Sequence, residues 1–337
     1  MKGGTLPGSD AAVHRLSGPR SRVVVTGAAG FVGSHLVDAL LDRGDTVVGI
    51  DCFTPYYSPE WKRQNLEAAM GSDRFTLVDE DLCEADLVAL LDGCDAVFHQ
   101  AGQPGVRLSW SDGFADYAHH NLLATQRLLE AALVAGVNRV VYASSSSVYG
   151  NQVRYPTVET DLPRPYSPYG VTKLAAEHLC SLYAENWGLS AVALRYFTVF
   201  GPRQRPDMSI HRLCEATLTG ASFPRFGDGT QVREFTHIAD VVAANLLAAD
   251  ADLAPGTVIN VAGGGEITLN GLISLVADLA GAPVVIEDHP AQAGDAKRNG
   301  GGTERARALL GWAPRVGLRE GVASQLDWHR VRQRVLW

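Results

Sequence analysis

No apolar run in the 337 residues approaches the roughly 18 that a membrane helix needs, so no transmembrane segment is expected. Cysteine is scarce and scattered: Cys52, Cys83, Cys94, Cys180 and Cys214 form no CxxC pair and no Cys/His cluster at metal-ligand spacing. That pattern argues against a zinc module or a disulfide scaffold, predicts no bound metal, and fits free thiols in a reducing cytoplasm. Positive charge is also short. With 29 Lys and Arg against 37 Asp and Glu, the net charge of -8 disfavours nucleic acid and anionic membrane as partners. An anionic small ligand stays possible, because it meets local arginines rather than the total. Residues 1–20, rich in Gly, Pro and Ser, lack the apolar core of a signal peptide, and a disordered leader is expected there.

What is present is globular composition, 46% hydrophobic and 20% charged, with room for about two domains. Short β-branched runs at Arg22–Thr26, Thr46–Ile50, Phe75–Val78, Ala96–His99, Arg139–Ala143, Val192–Tyr196 and Val258–Val261 read as strands. Helical patterns near 31–43, 84–92, 115–135 and 167–187 alternate with them, and several stop at a glycine (Gly44, Gly136, Gly188). This is the pattern of an α/β fold built on a doubly wound, Rossmann-type parallel sheet. After Gly201 the chain carries more Pro, Gly and Arg, with helical patterns at 207–219, 268–280 and 303–310. The expected division is a Rossmann domain over 21–200 and 233–262, and a smaller, discontinuous α/β ligand-binding lobe over 201–232 and 263–337. The ligand then lies in the crevice between them.

Thr26-Gly27-Ala28-Ala29-Gly30-Phe31-Val32-Gly33 follows the first strand and opens the first helix. Small residues there let the backbone approach a pyrophosphate, and the helix N-terminus offers unpaired N–H groups. The spacing is GxxGxxG rather than GxGxxG. Asp51, just past the second strand, is placed to accept hydrogen bonds from ribose hydroxyls, and its charge would repel a 2′-phosphate. NAD is therefore favoured over NADP. Asp81 and Leu82, after the third strand, are candidates for the adenine end.

Tyr169 and Lys173 stand four apart, on one face of a helix. Free tyrosine, with a pKa near 10, is a poor base at neutral pH, but a neighbouring ammonium favours the phenolate. Such a tyrosine can take a hydroxyl proton while hydride leaves the same carbon. The YxxxK spacing recurs by chance; its weight here comes from context. Pro165 and Pro168 precede it, and Ser144-Ser145-Ser146-Ser147 ends the fifth strand, where a hydroxyl could steady a developing oxyanion.

Taken together, VVVTGAAGFVGSHL, FHQAG, NLLATQRLLEAA, YASSSSVYG, SPYGVTKLAAE, LRYFTVFGPRQRPDM, GDGTQVREFTHIADV and LLGWAPRVGLREG resemble the extended short-chain dehydrogenase/reductase family over residues 22 to about 330. Within it the chain looks most like nucleotide-sugar 4-epimerases, especially UDP-glucuronate 4-epimerases. The resemblance implies a catalytic trio of Ser145, Tyr169 and Lys173. It implies that Gly27, Gly30, Phe31, Val32, Gly33, Asp51, Asp81, Leu82, Gln100, Ala101, Asn121, Lys173 and Tyr196 line the NAD. On the substrate side it implies Pro104, Gly105 and the serines Ser145 to Ser147, with Tyr169, near the sugar. Arg233 would reach the diphosphate, and Asp295 and Arg298 would make further nucleotide contacts.

Related branches differ in chemistry. The 4,6-dehydratases carry an Asp-Glu pair just before VYG and the 6-decarboxylases a Glu; here Ser146 and Ser147 occupy those positions, and neither can act as a carboxylic acid. Thr198 and Arg205 resemble a glucuronate-specific pattern in which a hydroxyl and a guanidinium hold the C6 carboxylate; Arg203 competes for the second role. The expected reaction is C4 epimerisation of UDP-glucuronate to UDP-galacturonate through a 4-keto intermediate. A 4-epimerase of neutral UDP- or dTDP-hexoses, a UDP-glucuronate decarboxylase and a non-catalytic NAD-sensing protein are the alternatives. The patterns at 115–135 and 167–187 could pair two copies into a homodimer.

Overall fold

The computed structural model describes residues 21–152, 154–291 and 298–335; the leader expected over 1–20 lies outside them. Its centre is a parallel sheet of seven strands. The first six are β1 (Arg22–Thr26), β2 (Thr46–Ile50), β3 (Phe75–Val78), β4 (Ala96–His99), β5 (Arg139–Ser145) and β6 (Ala191–Tyr196); Val258–Val261 is the seventh. Their order across the sheet is Val258–Val261, β6, β5, β4, β1, β2, β3. All seven lie where the sequence pattern puts them, β5 running two residues further, to Ser145. Valine-rich segments such as Arg22–Thr26 take these positions because both faces of the sheet are covered.

Helices cover both faces. On one side Phe31, Leu36 and Leu40 of α1 (Phe31–Arg43) pack with Val241 and Ala244 of helix Ile238–Asp250. On the other, Leu128 and Leu129 of helix Ala124–Ala135 pack with Tyr183 of helix Pro168–Trp187. The helix expected over 115–135 is broken: Phe114–Tyr117 is α-helical, Ala118–Leu123 forms a π-turn, and the α-helix resumes at Ala124.

The order of strands reverses between β1 and β4, and ligands of open α/β sheets bind at such a point. There Thr26 Oγ1 lies 2.7 Å from His99 Nδ1, and His99 Nε2 lies 2.9 Å from Thr125 Oγ1. Thr125 donates its own proton to the Asn121 carbonyl, so the imidazole is read as carrying its hydrogen on Nε2.

A second core gathers Ile210 and Leu213 of helix Ser209–Thr219, Leu272 and Val276 of helix Leu269–Ala280, and Val322 and Leu326 of helix Leu318–Val335. Two small sheets flank it: Ser222–Phe226 pairs with Val285–His289, and Val232–Glu234 lies between Glu266–Thr268 and Arg298–Asn299. Ala306, Leu310 and Trp312, from a segment the sequence assigns to this lobe, pack instead into the core around α1. Trp312 is held there by donating its indole N–H to the Asp240 carbonyl at 2.9 Å. Among the described residues, no helix is long and apolar enough to cross a membrane.

Candidate active site

The turn after β1 can be built only from glycine at two of its positions. Gly27 has φ +65°, and a Cβ on it would meet the Ala101 backbone at 2.8 Å; a Cβ on Gly33 would lie 2.0 Å from the Gly27 carbonyl oxygen. Helix α1 then begins at Phe31 with no side-chain cap and no acidic residue in its first turn. Its N-terminal N–H groups are thus open to an anion. Gly27, Gly30, Phe31, Val32 and Gly33 line a cavity of about 190 Å³, together with Asp51, Asp81, Leu82, Gln100, Ala101, Pro104, Tyr169, Lys173, Tyr196 and Arg205.

Asp51 accepts the Ala29 N–H at 3.0 Å and the Phe53 N–H at 2.8 Å, and burial raises its pKa against the opposing charge of Lys62. Asp81 accepts the Cys83 N–H at 2.7 Å and lies 3.0 Å from His119 Nε2. Cys52, Asp81 and His120 bring potential ligand atoms within 4.8 Å of one another, a grouping invisible in their sequence spacing. Gln100 and Tyr196 are tied to Asn245 at 3.1 and 2.9 Å. Asn121 does not line the cavity. The π-turn aims it inward, and its amide is spent on both the N–H and carbonyl of Gln103 and on Thr172. It braces the Gln103 loop from behind.

The residues present fit NAD. A glycine turn facing an uncapped helix end suits a pyrophosphate, a half-buried carboxylate follows β2, and the Tyr57 hydroxyl, which lines the same cavity, has no protein partner.

Tyr169 opens helix Pro168–Trp187, whose first turn is fixed by Ser167 accepting the Gly170 N–H at 3.1 Å and by proline at its first position. Lys173, one turn on, donates to the Ala143 carbonyl at 3.1 Å, and burial lowers its pKa to about 8. Burial raises the pKa of Tyr169; the Ser145 hydroxyl and then the charge of Arg205 act against it. The sequence assigned that opposing influence to the Lys173 ammonium, which the structure holds on the Ala143 carbonyl in the same cavity as Tyr169.

On the substrate side, Gly105 lines a second cavity of about 510 Å³ with Tyr56, Asp207, Arg212, Phe226 and Arg233. Ser146 and Ser147 line a third, of about 1450 Å³, with Arg233 and Asn299, and among the described residues no carboxylate lines it. Arg233 stands between the two. Arg203 pairs with Asp38 at 2.7 Å, which leaves Arg205 as the arginine on the Tyr169 wall.

Ser145 and Thr198 line none of these cavities; the Ser145 hydroxyl accepts the Ser147 N–H at 3.1 Å, and the Thr198 carbonyl accepts the Thr236 N–H at 2.9 Å. Arg298 also lines none: it pairs with Glu266 at 2.6 Å and stacks 3.6 Å over the Tyr155 ring. Asp295 lies outside the described residues. Sequence reasoning passed over Tyr56, Tyr57, Lys62, Gln103 and Asp207, which the structure brings to these walls. The aromatic pair six residues after Ile50, in the loop beyond Asp51, was the available signal for the first two.

The NAD dependent epimerase/dehydratase family matches residues 23–262. The chain belongs to that family. UDP-glucose 4-epimerase of Mycolicibacterium smegmatis is 39% identical over 316 residues, spanning 92% of this chain and 98% of that one. The UDP-glucuronic acid 4-epimerase of Bacillus cereus, solved with UDP-glucuronic acid and NAD, matches with a TM-score of 0.89 at 39% identity, covering 92% of this chain and 99% of that one. MoeE5, solved with UDP-glucuronic acid and NAD, matches with a TM-score of 0.84 at 45% identity, covering 92% and 99%. In this member of the family, a phenol, an ammonium and a guanidinium share one wall, and among the described residues the serine-lined cavity beside them offers no carboxylic acid to expel water.

Proposed function

We propose that the chain is an NAD-dependent nucleotide-sugar 4-epimerase, an isomerase that interconverts UDP-glucuronate and UDP-galacturonate through a 4-keto sugar. The observation that carries this reading is the position of Arg205 on the wall that holds Tyr169 and Lys173. A guanidinium there can hold the C6 carboxylate of the sugar whose C4 faces the phenol.

NAD, when bound along the glycine turn, supplies the hydride acceptor and donor for C4. Tyr169 takes the O4 proton and later returns it, and Ser145, whose hydroxyl influences the Tyr169 phenol, steadies the oxygen between them. Lys173, fixed on the Ala143 carbonyl, keeps positive charge near that oxygen. Arg233, between the two outer cavities, is assigned to the diphosphate, the pivot about which the keto sugar turns over. The 4-keto form of a uronate is a β-keto acid. Arg205, together with Ser147, would restrain its carboxylate from the geometry that expels CO₂. Ser146 and Ser147, in place of carboxylic acids, disfavour dehydration and decarboxylation.

Purified protein incubated with UDP-glucuronate is expected to form UDP-galacturonate with no net NADH, read by chromatography. Accumulation of a UDP-pentose would overturn the reading in favour of a decarboxylase.

A homodimer belongs to the same proposal. Val171, His178 and Leu182 are exposed along one stripe of helix Pro168–Trp187, at the spacing of two helices packed side by side. Light scattering at twice the monomer mass is the expected result. Five free cysteines, four of them buried, fit a cytoplasmic location.

A further inference from the structure

We infer that this site turns over a neutral nucleotide hexose as well as the uronate, and that Asp207 sets the balance between them. The inference rests on the reading that Arg205 receives the C6 carboxylate. Arg205 lines the cavity of Tyr169 and Lys173, and Asp207 lines the adjoining one. Asp207 takes Nε and Nη2 of Arg205 with its two oxygens, at 3.0 and 3.1 Å. Tyr56 donates its hydroxyl to the same carboxylate at 3.2 Å, tying the loop after β2 to the segment that carries the pair. The Arg205 and Asp207 side chains are 21% and 35% exposed, so water screens the pair only in part.

A shielded guanidinium facing a substrate pocket rejects a neutral ligand when binding would strand it without a counter-charge. Asp207 removes that penalty, because Arg205 is paired before any ligand arrives. A CH₂OH group at C6 then meets an ion already compensated, and Nη1, which takes no part in the pair, can donate to its hydroxyl. A carboxylate at the same place gains less than it would from a lone arginine, since it shares Arg205 with Asp207 and is repelled by it. Both effects narrow the gap between acid and neutral sugar. Deleting the Asp207 charge while keeping an acceptor for Arg205 widens it.

The test is kcat/KM for UDP-glucuronate and UDP-glucose on the full chain with NAD, for the wild type and for Asp207→Asn, Asp207→Glu and Arg205→Met. The wild type is expected to epimerise both sugars. Asp207→Asn is expected to raise the acid-to-neutral ratio about tenfold, chiefly through a lower KM for UDP-glucuronate, and Asp207→Glu to stay near the wild-type ratio. Asp207→Ser also deletes the charge and gives the same readout if the amide disturbs the loop. Wild-type protein that fails on UDP-glucose while turning over UDP-glucuronate overturns the inference, as does a ratio that Asp207→Asn leaves unchanged or lowers. Arg205→Met separates this from the underlying reading. If it lowers the acid preference while the Asp207 variants do not move it, the carboxylate assignment stands and the inference falls. If it leaves the acid preference intact, the carboxylate assignment itself falls.

Discussion

Glu177 and Arg195 form a buried, two-pronged ion pair beneath the residues assigned to catalysis, with Arg195 Nε 3.0 Å from Glu177 Oε2. Glu177 lies one helical turn beyond Lys173, and Arg195 precedes Tyr196 at the end of β6. Ser144, the neighbour of Ser145, donates to Glu177 at 2.7 Å, and Arg195 donates to the Tyr149 hydroxyl, also at 2.7 Å. One carboxylate thus joins the helix of Tyr169 to the ends of β5 and β6. Glu177→Ala would leave Arg195 buried without its partner, a change that costs about 3–5 kcal/mol. Urea unfolding of the two proteins measures it, and a loss under 1 kcal/mol would mean the pair is not holding these elements together.

Acid should destabilise the chain through its buried histidines. Burial lowers His99 to about 3, with the charge of Lys173 adding to the effect, and lowers His35 to about 4 and His329 to about 3. The unfolded chain takes up these protons near pH 6.5, the folded chain only well below it. Between those values the unfolded state holds more protons, so stability is full above about 6.5 and falls as pH falls, by about 1.4 kcal/mol per pH unit for each proton. Melting temperatures across pH 7 to 4 give the slope. Replacing His99 by Gln, which can still bond Thr26 and Thr125, should make it shallower by about one proton.

Periodicity made the large sheet legible because most of its strands are short apolar runs buried on both faces. The same reasoning missed the strands at 222–226, 232–234, 266–268, 285–289 and 298–299. Most of those residues are half-buried or exposed, so no apolar alternation marks them. Helix Leu318–Val335, dense in charge, was passed over for the same reason. At the site, residues whose work is fixed by local backbone could be read directly: the glycine turn, Asp51 after β2, and the Tyr169–Lys173 turn. Asp207 stands two residues from Arg205 within a segment already singled out, yet its role depends on a side-chain pairing that spacing does not reveal. Arg298 was misplaced for the converse reason, since Glu266 and the Tyr155 ring engage its side chain away from the cavities.

Gly33→Ala tests the cofactor end. Its Cβ would fall 2.0 Å from the Gly27 carbonyl oxygen, a backbone atom that can move only by opening the turn. The expected result is a fall in NAD affinity of tenfold or more, about 1.4 kcal/mol, read by titration of the apoprotein. Unchanged affinity would show that the pyrophosphate does not lie over this turn.

Tyr169→Phe and Lys173→Met should fail in different ways. Phenylalanine keeps the ring that packs edge-on to Tyr117, with ring centres 6.1 Å apart, and removes only the hydroxyl that exchanges the O4 proton. Turnover of UDP-glucuronate is therefore expected to drop by about 10²–10⁴-fold while NAD affinity holds. Methionine at 173 removes the donor to the Ala143 carbonyl and a buried charge that lines the cofactor cavity. Both kcat and NAD affinity should fall. The same variant carries a stability signature of the same sign as that of the histidines, displaced to alkaline pH. Because burial lowers Lys173 to about 8, the folded chain releases this proton near pH 8 and the unfolded chain only near 10.5. Wild-type stability should therefore gain from this group as pH rises from 8 toward 10.5, and Lys173→Met should lose that gain. Equal kcat losses with NAD binding intact in both variants would show that Lys173 serves only the proton transfer and does not help to hold the cofactor.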